Sequence, residues 1–523
     1  LLVVYSIAIL VLTLIPGQDA NGNVHYMDFF HATYFVSFMA TTIGFGEIPF
    51  EFTDAQRIWV IFSMYTGVIS WLYAIGTILT LVQDKTFQHA LSENKLAKKI
   101  RSMREPFYLV CGYGETGSAL VRGLTDAGQH VVVIEIDENR RNMIRIDNLR
   151  DFVPSLHGDA QKTLHLQEAG LQHSLCKAVV AVTNVNEANL KIALTSKLLH
   201  PHIKVICRAD SHDVENNMAS FGTDHIIDPY DTFATSLATA FQVPCLYLLQ
   251  SWLFSANDEI ELDEPVYPPK QKHWVICGYG RFGKALYERL IKEGIEVVVI
   301  EADPSSTGEP VEGIVMGRGT EANTLSEANI EQACGLIAGT DNDANNLSMV
   351  VTAREMNPNL FIIVRQNHSD NSAIIEAVKA DMVMHPSKII ADMIRVLLSN
   401  PLRYRFVSLA YYQDNNWACE LVSRITALVG HQVPNLTEIT IDKNEAQAVV
   451  DVLEHGETVK LADLQRDPWK RRDCLKCIVL MIECHNDLLL LPGSETKINV
   501  GDRLLVCAGE RGFTRLRWNL QHD

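Results

Sequence analysis

The chain has 523 residues, with 45 basic and 63 acidic side chains, which gives a formal net charge of −18. At about 100–200 residues per domain, this length predicts three or four folding units. The acidic balance argues against a nucleic-acid partner, because no surplus of positive charge exists to neutralise phosphate, and it favours a surface that attracts cations.

The start of the chain is rich in long apolar runs. Residues 1 to 15 carry no charge, but a bilayer needs about 20 apolar residues to span it, so we expect a membrane helix that is cut short where the sequence begins. A signal peptide is the alternative, although the basic start and the small-residue cleavage site that define one are missing. Residues 58 to 82 also lack charge and are long enough for a full crossing.

The apolar segment between these runs, MDFFHATYFVSFMATT, is too short for a full crossing. It predicts a re-entrant helix, whose end is tolerated only beside protein or a water-filled cavity. Basic residues follow the second run, from Lys95 to Arg104, whereas residues 16 to 30 carry none. Because basic residues favour the cytoplasmic side, we expect a multi-pass protein of the plasma (inner) membrane with everything after Lys85 in the cytoplasm.

The loop TTIGFGE follows the re-entrant segment. Extended chain at membrane depth leaves carbonyls bare, which is costly unless a dehydrated cation binds them. Gly44 and Gly46 allow backbone angles that let successive carbonyls point toward one axis. The loop resembles the potassium-channel selectivity filter, usually T-V-G-Y-G-D, although Phe45 replaces Tyr and Glu47 replaces Asp. The matching positions are Thr42, Ile43, Gly44, Phe45 and Gly46.

Two glycines in the second apolar run, Gly67 and Gly76, are candidates for a gating hinge in the presumed inner helix. Gly67 lies near the middle of the run and is the preferred bend. Close helix packing is an equal alternative, because glycine is common in membrane helices for that reason.

After the basic linker the chain repeats itself. FYLVCGYGETGSALVRGLTDAGQHVVVIEID begins at Phe107, and HWVICGYGRFGKALYERLIKEGIEVVVIEAD begins at His273, at a constant offset of 166. Each segment contains an apolar strand, Gly-x-Gly-x-x-Gly, a helix and a second strand that ends in Glu. This context predicts Rossmann-like nucleotide-binding folds, referred to below as the first copy and the second copy.

The glycine loops, the acidic residues beyond them and the ends of later strands supply the candidate nucleotide-binding residues. Glu135 and Glu301 should hold ribose hydroxyls and repel a 2′-phosphate, which favours NAD, ADP or another adenine nucleotide over NADP. The candidates in the first copy are Gly112, Gly114, Glu115, Thr116, Gly117, Glu135, Asp159, Ala160, Thr183 and Asn184. Those in the second copy are Gly278, Tyr279, Gly280, Arg281, Phe282, Gly283, Glu301, Arg318, Gly319, Thr340 and Asp341.

The two copies differ after the second glycine of the loop, where the first has Glu115 and the second has Arg281. Arg can pair with phosphate, whereas Glu repels it unless a cation intervenes. We therefore predict that the second copy binds nucleotide more tightly, and that the first binds it weakly or with a divalent ion such as Ca²⁺. Solvated surface is an equal alternative for both side chains. The sequence places no metal site.

Paired domains of this kind after a pore resemble the RCK domains, regulators of K⁺ conductance that are similar to the TrkA-N nucleotide-binding fold. The segments PYDTFATSLATAFQVPCLYLLQSWL and PSKIIADMIRVLLSN look like the crossover helices by which such domains pair, although they could instead complete a core. Residues 488 to 510 resemble the end of a TrkA-C domain.

The predicted fold class is an α-helical membrane pore module, with two spans, a re-entrant pore helix and a filter loop, followed by two Rossmann-like α/β domains and a small α+β domain. The predicted divisions are a pore module at 1–82, a linker at 83–104, a first RCK domain at 105–265, a second RCK domain at 266–402 and a TrkA-C-like domain at 403–523.

Eleven cysteines are scattered through the chain, several of them inside apolar runs, which predicts no disulfide and a cytosolic location for the bulk of the chain. The spacing of Cys474, Cys477, Cys484 and His485 could bind zinc. A buried strand through these positions is the preferred interpretation, because it would hold the side chains apart.

The motifs in combination resemble a prokaryotic two-transmembrane potassium channel with tandem RCK domains that respond to several ligands. The resemblance implies a homotetramer around one pore, K⁺ as the permeant ion and gating by NAD or an adenine nucleotide. The alternative is a membrane-anchored NAD-dependent oxidoreductase. We find no proton donor placed beside either glycine loop, so we do not expect an enzyme.

Overall fold

The computed structural model describes residues 1–84, 96–210, 212–254, 265–308, 313–430, 435–470, 472–484 and 487–521. Half of the predicted linker (residues 85–95), residues 255–264 before the second copy and the candidate zinc ligand His485 lie outside these residues. The chain divides into two compact units, Leu1–Lys98 and Lys99–Asp523.

The first unit is helical, with one small hairpin. One helix of the described residues, α3, is long and apolar enough to cross a membrane, whereas α1 and α2 are shorter apolar helices. A capping box between Thr53 and Gln56 starts α3. Helix α1 packs on α2 and α3 around Ala8, Leu12 and Val36. The elements are α1 (Leu2–Leu14), β1 (Pro16–Gln18), β2 (Val24–Tyr26), α2 (Phe29–Ala40) and α3 (Asp54–Gln83).

The first copy forms a six-stranded parallel sheet in the order β5-β4-β3-β6-β7-β8. This order is that of the Rossmann fold, in which the chain reverses direction across the sheet between its first and fourth strands. The elements are β3 (Phe107–Cys111), α4 (Glu115–Asp126), β4 (His130–Glu135), α5 (Glu138–Ile146), β5 (Ser155–His157), α6 (Thr163–Glu168), β6 (Cys176–Ala181), α7 (Asn186–Leu199), β7 (Lys204–Arg208), α8 (His212–Ser220) and β8 (His225–Ile227).

Two helices follow this sheet, α9 (Pro229–Gln242) and α10 (Pro244–Phe254). The second copy then repeats the topology, in the order β11-β10-β9-β12-β13-β14. Its elements are β9 (Trp274–Cys277), α11 (Arg281–Lys292), β10 (Val297–Glu301), α12 (Pro304–Thr307), β11 (Ile314–Met316), α13 (Ala322–Glu327), β12 (Gly335–Ala338), α14 (Asp343–Met356), β13 (Phe361–Arg365), a 3₁₀ turn (Ser369–Asn371), α15 (Ser372–Ala377), β14 (Met382–Met384) and α16 (Pro386–Ser399).

The remaining residues form an α+β module around a four-stranded antiparallel sheet in the order β15-β20-β17-β18. Strand β17 contains Cys477 and Cys484, as the strand interpretation of the cysteine motif predicted. The elements are α17 (Pro401–Ala410), α18 (Asn415–Val429), β15 (Asn435–Thr440), α19 (Gln447–Glu454), β16 (Val459–Lys460), α20 (Leu461–Leu464), β17 (Cys477–Cys484), β18 (Asp487–Leu490), β19 (Lys497–Ile498), β20 (Arg503–Ala508) and α21 (Glu510–Gln521).

Each copy completes its core with a helix from the other copy. Helix α16 of the second copy packs on α4 of the first, and α9 of the first packs on α11 of the second. The two cores therefore mix residues from both copies, and the crossover helices both pair the domains and fill their interiors. Buried residues shared in this way include Val110, Leu120, Ile390 and Ile394 in one core and Phe233, Leu237, Trp274 and Phe282 in the other.

Two cysteines are joined, which corrects the prediction that the chain has no disulfide. Cys245 in α10 is bonded to Cys419 in α18, with their Cα atoms 5.1 Å apart and a sequence separation of 174. The sequence could not indicate this pair, because only the packing of α10 on α18 brings the two positions together. The bond ties the helix after the first copy to the C-terminal module.

We expect Cys419→Ser to lower the free energy of unfolding by about 2–4 kcal/mol in oxidising buffer, because the disulfide restricts the unfolded chain. The midpoint of thermal unfolding measures this change. Cys474→Ser is the matched control, since Cys474 is free and exposed and should leave the midpoint unchanged. A wild-type midpoint that does not respond to a reductant would contradict the prediction.

Candidate functional site

In the predicted filter loop, every second residue has a positive φ angle. Thr42, Gly44 and Gly46 have φ values of 63°, 66° and 76°, whereas Ile43 and Phe45 between them do not have positive φ. A β-branched residue such as Thr rarely adopts the left-handed region, so Thr42 is a backbone outlier of the kind that collects at functional sites. Ile43 and Phe45 are exposed in the single chain.

The loop is attached to helix α2 by hydrogen bonds. The amides of Ile43 and Gly44 donate to the carbonyl oxygen of Phe38, at 3.0 and 3.3 Å. On the far side of the loop, the Tyr34 hydroxyl donates to Glu47 Oε2 at 3.2 Å. Phe45 has no hydroxyl to make such a contact. The hydrogen bond from Tyr34 instead connects helix α2 to Glu47, the residue after the loop, and the sequence did not indicate it.

The two predicted hinge glycines have different surroundings. Gly67 is buried, and a Cβ added there would lie 3.4 Å from Cβ of Ala40 at the end of α2. A Cβ at Gly76 would meet nothing within 4 Å. Close packing is therefore a sufficient reason for glycine at position 67, and the gating hinge stays a prediction for both positions.

Both glycine loops of the repeat have the same local geometry. Gly112 and Gly278 have φ values of 103° and 97°, which favour glycine. A Cβ on Gly117 would lie 2.0 Å from the carbonyl oxygen of Gly112, and a Cβ on Gly283 would lie 2.0 Å from that of Gly278. The third glycine thus allows the helix to start directly against the turn, with its N-terminal amides facing the end of the sheet.

The acidic residues predicted to hold ribose support the loops themselves. Glu135 Oε2 accepts a hydrogen bond from the amide of Tyr113, and its Oε1 accepts one from the amide of Asp137 at 2.8 Å. Glu301 accepts from the amides of Tyr279 and Asp303 at 2.7 and 2.9 Å. Each carboxylate oxygen has further lone pairs, so it can still accept a ribose hydroxyl.

A cavity of about 500 Å³ lies beside the first glycine loop, at the carboxyl ends of β3, β4 and β6. Ligands of open α/β sheets bind at this edge, where the direction of the chain switches. Nine of the ten predicted first-copy residues line it, and Gly117 does not. These are Gly112, Gly114, Glu115, Thr116, Glu135, Asp159, Ala160, Thr183 and Asn184.

Several lining residues were not predicted as site residues. Asp137, Arg140 and Gly158 follow or flank predicted positions, so the glycine-loop pattern could have indicated them. Arg208 ends β7, and the ends of later strands are where ligands of such sheets lie, so the sequence indicated its position as well. Further lining residues come from helix α9 and from the second copy, and nothing in the sequence of the first glycine loop assigns them to this cavity. They are Tyr230, Arg365, Asn367, Pro386 and Ser387.

Thr183 and its second-copy counterpart Thr340 are held by matching asparagines. The Thr183 amide donates to Asn189 Oδ1 at 3.0 Å, and the Thr340 amide donates to Asn346 Oδ1 at 2.9 Å. Both asparagines are buried. In each copy, this hydrogen bond holds the predicted threonine in place just after the end of its strand.

In the second copy several of the predicted residues are buried. Phe282 is fully buried and packs on Phe233, with ring centroids 5.7 Å apart, so its side chain belongs to the core and not to a ligand site. Tyr279 is also buried, against Tyr287. Gly319 is buried beside Cys277, whereas Arg318 is exposed.

Arg281 has a different partner from the one expected. We predicted that it pairs with phosphate on its own loop, but its Nη1 lies 2.5 Å from Oδ2 of Asp210 in the first copy. Glu115, predicted to repel phosphate, accepts a hydrogen bond from Ser369 of the second copy at 2.7 Å. Arg281 and Glu115, the residues after the second glycine of each loop, thus each contact the other copy. Aligning the two loops could not indicate these contacts, because it compares each loop only with its counterpart.

Comparison with known proteins gives matches over both parts of the chain. The sequence profile of the TrkA-N domain family matches residues 108–229 and 274–386, and the profile of the ion channel family matches residues 1–84. Potassium channel protein 1 of Methanocaldococcus jannaschii is 30% identical over 268 residues, which are 51% of this chain and 78% of that protein.

Three further matches are shorter or less similar in sequence. Probable potassium channel protein 2 of the same organism is 32% identical over 120 residues, which are 22% of this chain. The chain spans 35% of the length of that protein, and the same share of another curated relative, an uncharacterized protein of Methanothermus fervidus. A solved structure described as the GsuK channel bound to NAD is 15% identical, covers 99% of this chain and 96% of its own, and has a TM-score of 0.49.

The channel profile lies on the helical unit with the filter loop, and the TrkA-N profile lies on both Rossmann-like copies. Potassium channel protein 1 is matched over more than two thirds of its length. The chain therefore belongs to the potassium channel family, as a membrane protein with an ion-channel module followed by two TrkA-N domains.

Proposed function

We propose that the protein is a potassium-selective channel whose opening is controlled by NAD or an adenine nucleotide, bound in the cavity beside the first glycine loop. The observation that carries the proposal is the cavity itself, which is lined by the glycine loop of one copy and by residues of the other. A ligand placed there can favour one arrangement of the two copies over another, and only such differential affinity shifts an equilibrium between states.

The filter assignment supports the channel part of this proposal. Thr42, Gly44 and Gly46, with their positive φ values, would line the ion path, and the carbonyl groups of this loop would replace the water around K⁺. One chain supplies one loop, so a complete ring of carbonyls needs a homotetramer. Four chains would then carry eight Rossmann-like domains.

With the predicted pore module ending at residue 82 and basic residues following it, the nucleotide-binding copies would lie on the cytoplasmic side of a multi-pass protein. The linker at 83–104 would pass the change to helix α3, with Gly67 or Gly76 as the bend. A coupling free energy of about 1–3 kcal/mol per site is typical of such systems. We assign no site to Ca²⁺, because no three His, Cys, Asp or Glu side chains converge as metal ligands in the described parts of the chain.

Potassium flux into liposomes that contain the purified full chain tests the proposal. We expect flux that prefers K⁺ over Na⁺ and that changes when NAD or ADP is added on the side of the TrkA-N domains. If no nucleotide changes the flux, the proposal of nucleotide control is wrong. If there is no flux at all, the proposal of a channel is wrong. The alternative, an oxidoreductase, predicts turnover of NADH instead. Potassium channel protein 1, which is matched over 78% of its length, favours the channel.

A further inference from the structure

An arginine of the second copy reaches the cavity of the first. Arg365 is the last residue of β13 and lines the cavity together with Asn367 and Ser387. Helix α16 of the second copy packs on α4 of the first, and the starts of both helices line the cavity together with Arg365. Arg365 is the counterpart of Arg208, which ends the equivalent strand β7 of the first copy and lines the same cavity.

Arg365 has few polar partners among the residues that the structure describes. Its Nε is buried without a hydrogen-bond partner, and its Nη2 lies 3.5 Å from the hydroxyl of Tyr230, at the outer limit of a hydrogen bond. The guanidinium also lies 5.3 Å from the centre of the Tyr230 ring. Burial lowers the pKa of Arg365, while Tyr230 and Asp341 act in the opposite direction. A half-buried cation with so few partners is unfavourable until an anion joins it.

The neighbouring arginines already have a carboxylate. Arg208 Nε lies 2.9 Å from Oδ1 of Asp210, and Arg281 Nη1 lies 2.5 Å from its Oδ2. Asp210 is only 5% exposed, and its two oxygens serve these two cations. Asp343, a buried acid of the second copy, accepts hydrogen bonds from Asn367, His368 and Asn371. Of Arg208, Arg281 and Arg365, only Arg365 therefore has no carboxylate within 4 Å among the described residues.

We propose that Arg365 binds the phosphate chain of a nucleotide whose other contacts are made by the first glycine loop. The nucleotide site of the first copy is then completed by the second copy, and the ligand must carry phosphate to connect the two. This inference rests on the proposed function, because it concerns the same cavity. It adds that binding depends on how the two copies are packed together, which links occupancy of the site to their relative position.

Calorimetric titration of the purified full chain with ADP and with adenosine tests the inference. The wild-type chain should prefer ADP. Arg365→Gln should lower the affinity for ADP about tenfold or more, because a charge-assisted pair with phosphate is lost, and should leave adenosine binding unchanged. Arg365→Lys keeps the cation but not the planar fork, so we expect a smaller loss. Arg424→Gln removes an equally charged but exposed side chain of α18 and should change neither affinity.

The ratio of the two affinities separates a phosphate contact from a structural role. An equal fall in ADP and adenosine affinity on Arg365→Gln would mean that Arg365 only supports the fold, and this result would overturn the inference. Unchanged ADP affinity in both Arg365 variants would overturn it as well. Failure of the wild-type chain to bind any nucleotide would contradict the proposed function itself. Nucleotide binding by the wild-type chain that does not change in the Arg365 variants would contradict only the inference. If Arg365→Gln does not fold, the Lys variant alone still decides the ratio.

Discussion

A chain with Gly44→Ala is expected to lose most of its preference for K⁺ over Na⁺. Gly44 has a φ of 66° in the filter loop, and an L-residue forced into this region costs about 1–2 kcal/mol. Relaxation of that strain would turn the peptide and its carbonyl away from the ion path. Since 1.4 kcal/mol is a factor of ten, we expect a fall in selectivity of about tenfold, measured as the ratio of K⁺ to Na⁺ flux in liposomes.

Gly22→Ala is the matched control for this experiment. Gly22 has a φ of 82° in the turn between β1 and β2 of the same unit, and an added Cβ would meet nothing within 4 Å at either position. The backbone cost of the two substitutions is therefore similar, but only Gly44 lies in the predicted filter. Equal loss of selectivity in both variants would point to general destabilisation of the helical unit and would contradict the filter assignment.

The variants Gly117→Ala and Gly283→Ala should differ in their response to nucleotide. Each adds a Cβ that would lie 2.0 Å from a backbone oxygen, so each loop must shift, at a cost of about 1–3 kcal/mol or more. Because the cavity lies beside the first loop, we expect Gly117→Ala to abolish the rise in melting temperature that ADP produces. Gly283→Ala should lower the melting temperature itself but retain that rise.

Gly509→Ala is the control, since a Cβ there would meet nothing within 4 Å and the position lies in the C-terminal module. Retention of the ADP response in Gly117→Ala together with its loss in Gly283→Ala would return the tighter site to the second copy. That outcome would agree with the sequence prediction, based on Arg281 and Glu115, that the second copy binds nucleotide more tightly. It would contradict the proposal that the nucleotide binds in the cavity beside the first loop.

The cysteines of the parallel sheets need no function beyond packing. Cys207 and Cys277 lie in central strands, and burial raises the pKa of each thiol to about 12. Such thiols stay protonated and unreactive at neutral pH. The prediction of no disulfide holds for these two cysteines, whose thiols are free. It was wrong for Cys245, at the start of a helix between two modules, because its partner is distant in sequence.

The sequence alone was sufficient for those features that depend on short stretches of chain. The glycine loops, the acid at the end of the second strand and the helix between them lie within about 30 residues, as in any βαβ unit, and the repeat at offset 166 doubled the signal. The filter motif is equally local. For these elements the backbone requirements of a tight turn or a left-handed residue are visible directly in the residue types.

Only the tertiary structure decided which residues of distant segments meet. The exchange of α9 and α16, the ion pair between Arg281 and Asp210, the arrival of Arg365 at the first cavity and the bond between Cys245 and Cys419 all depend on how one copy packs on the other or on the C-terminal module. Apolar faces of two similar helices can fill either core, so their periodicity does not specify a partner. The partner of each helix is decided by how well whole packed surfaces fit together, and this fit cannot be read from the sequence of one helix.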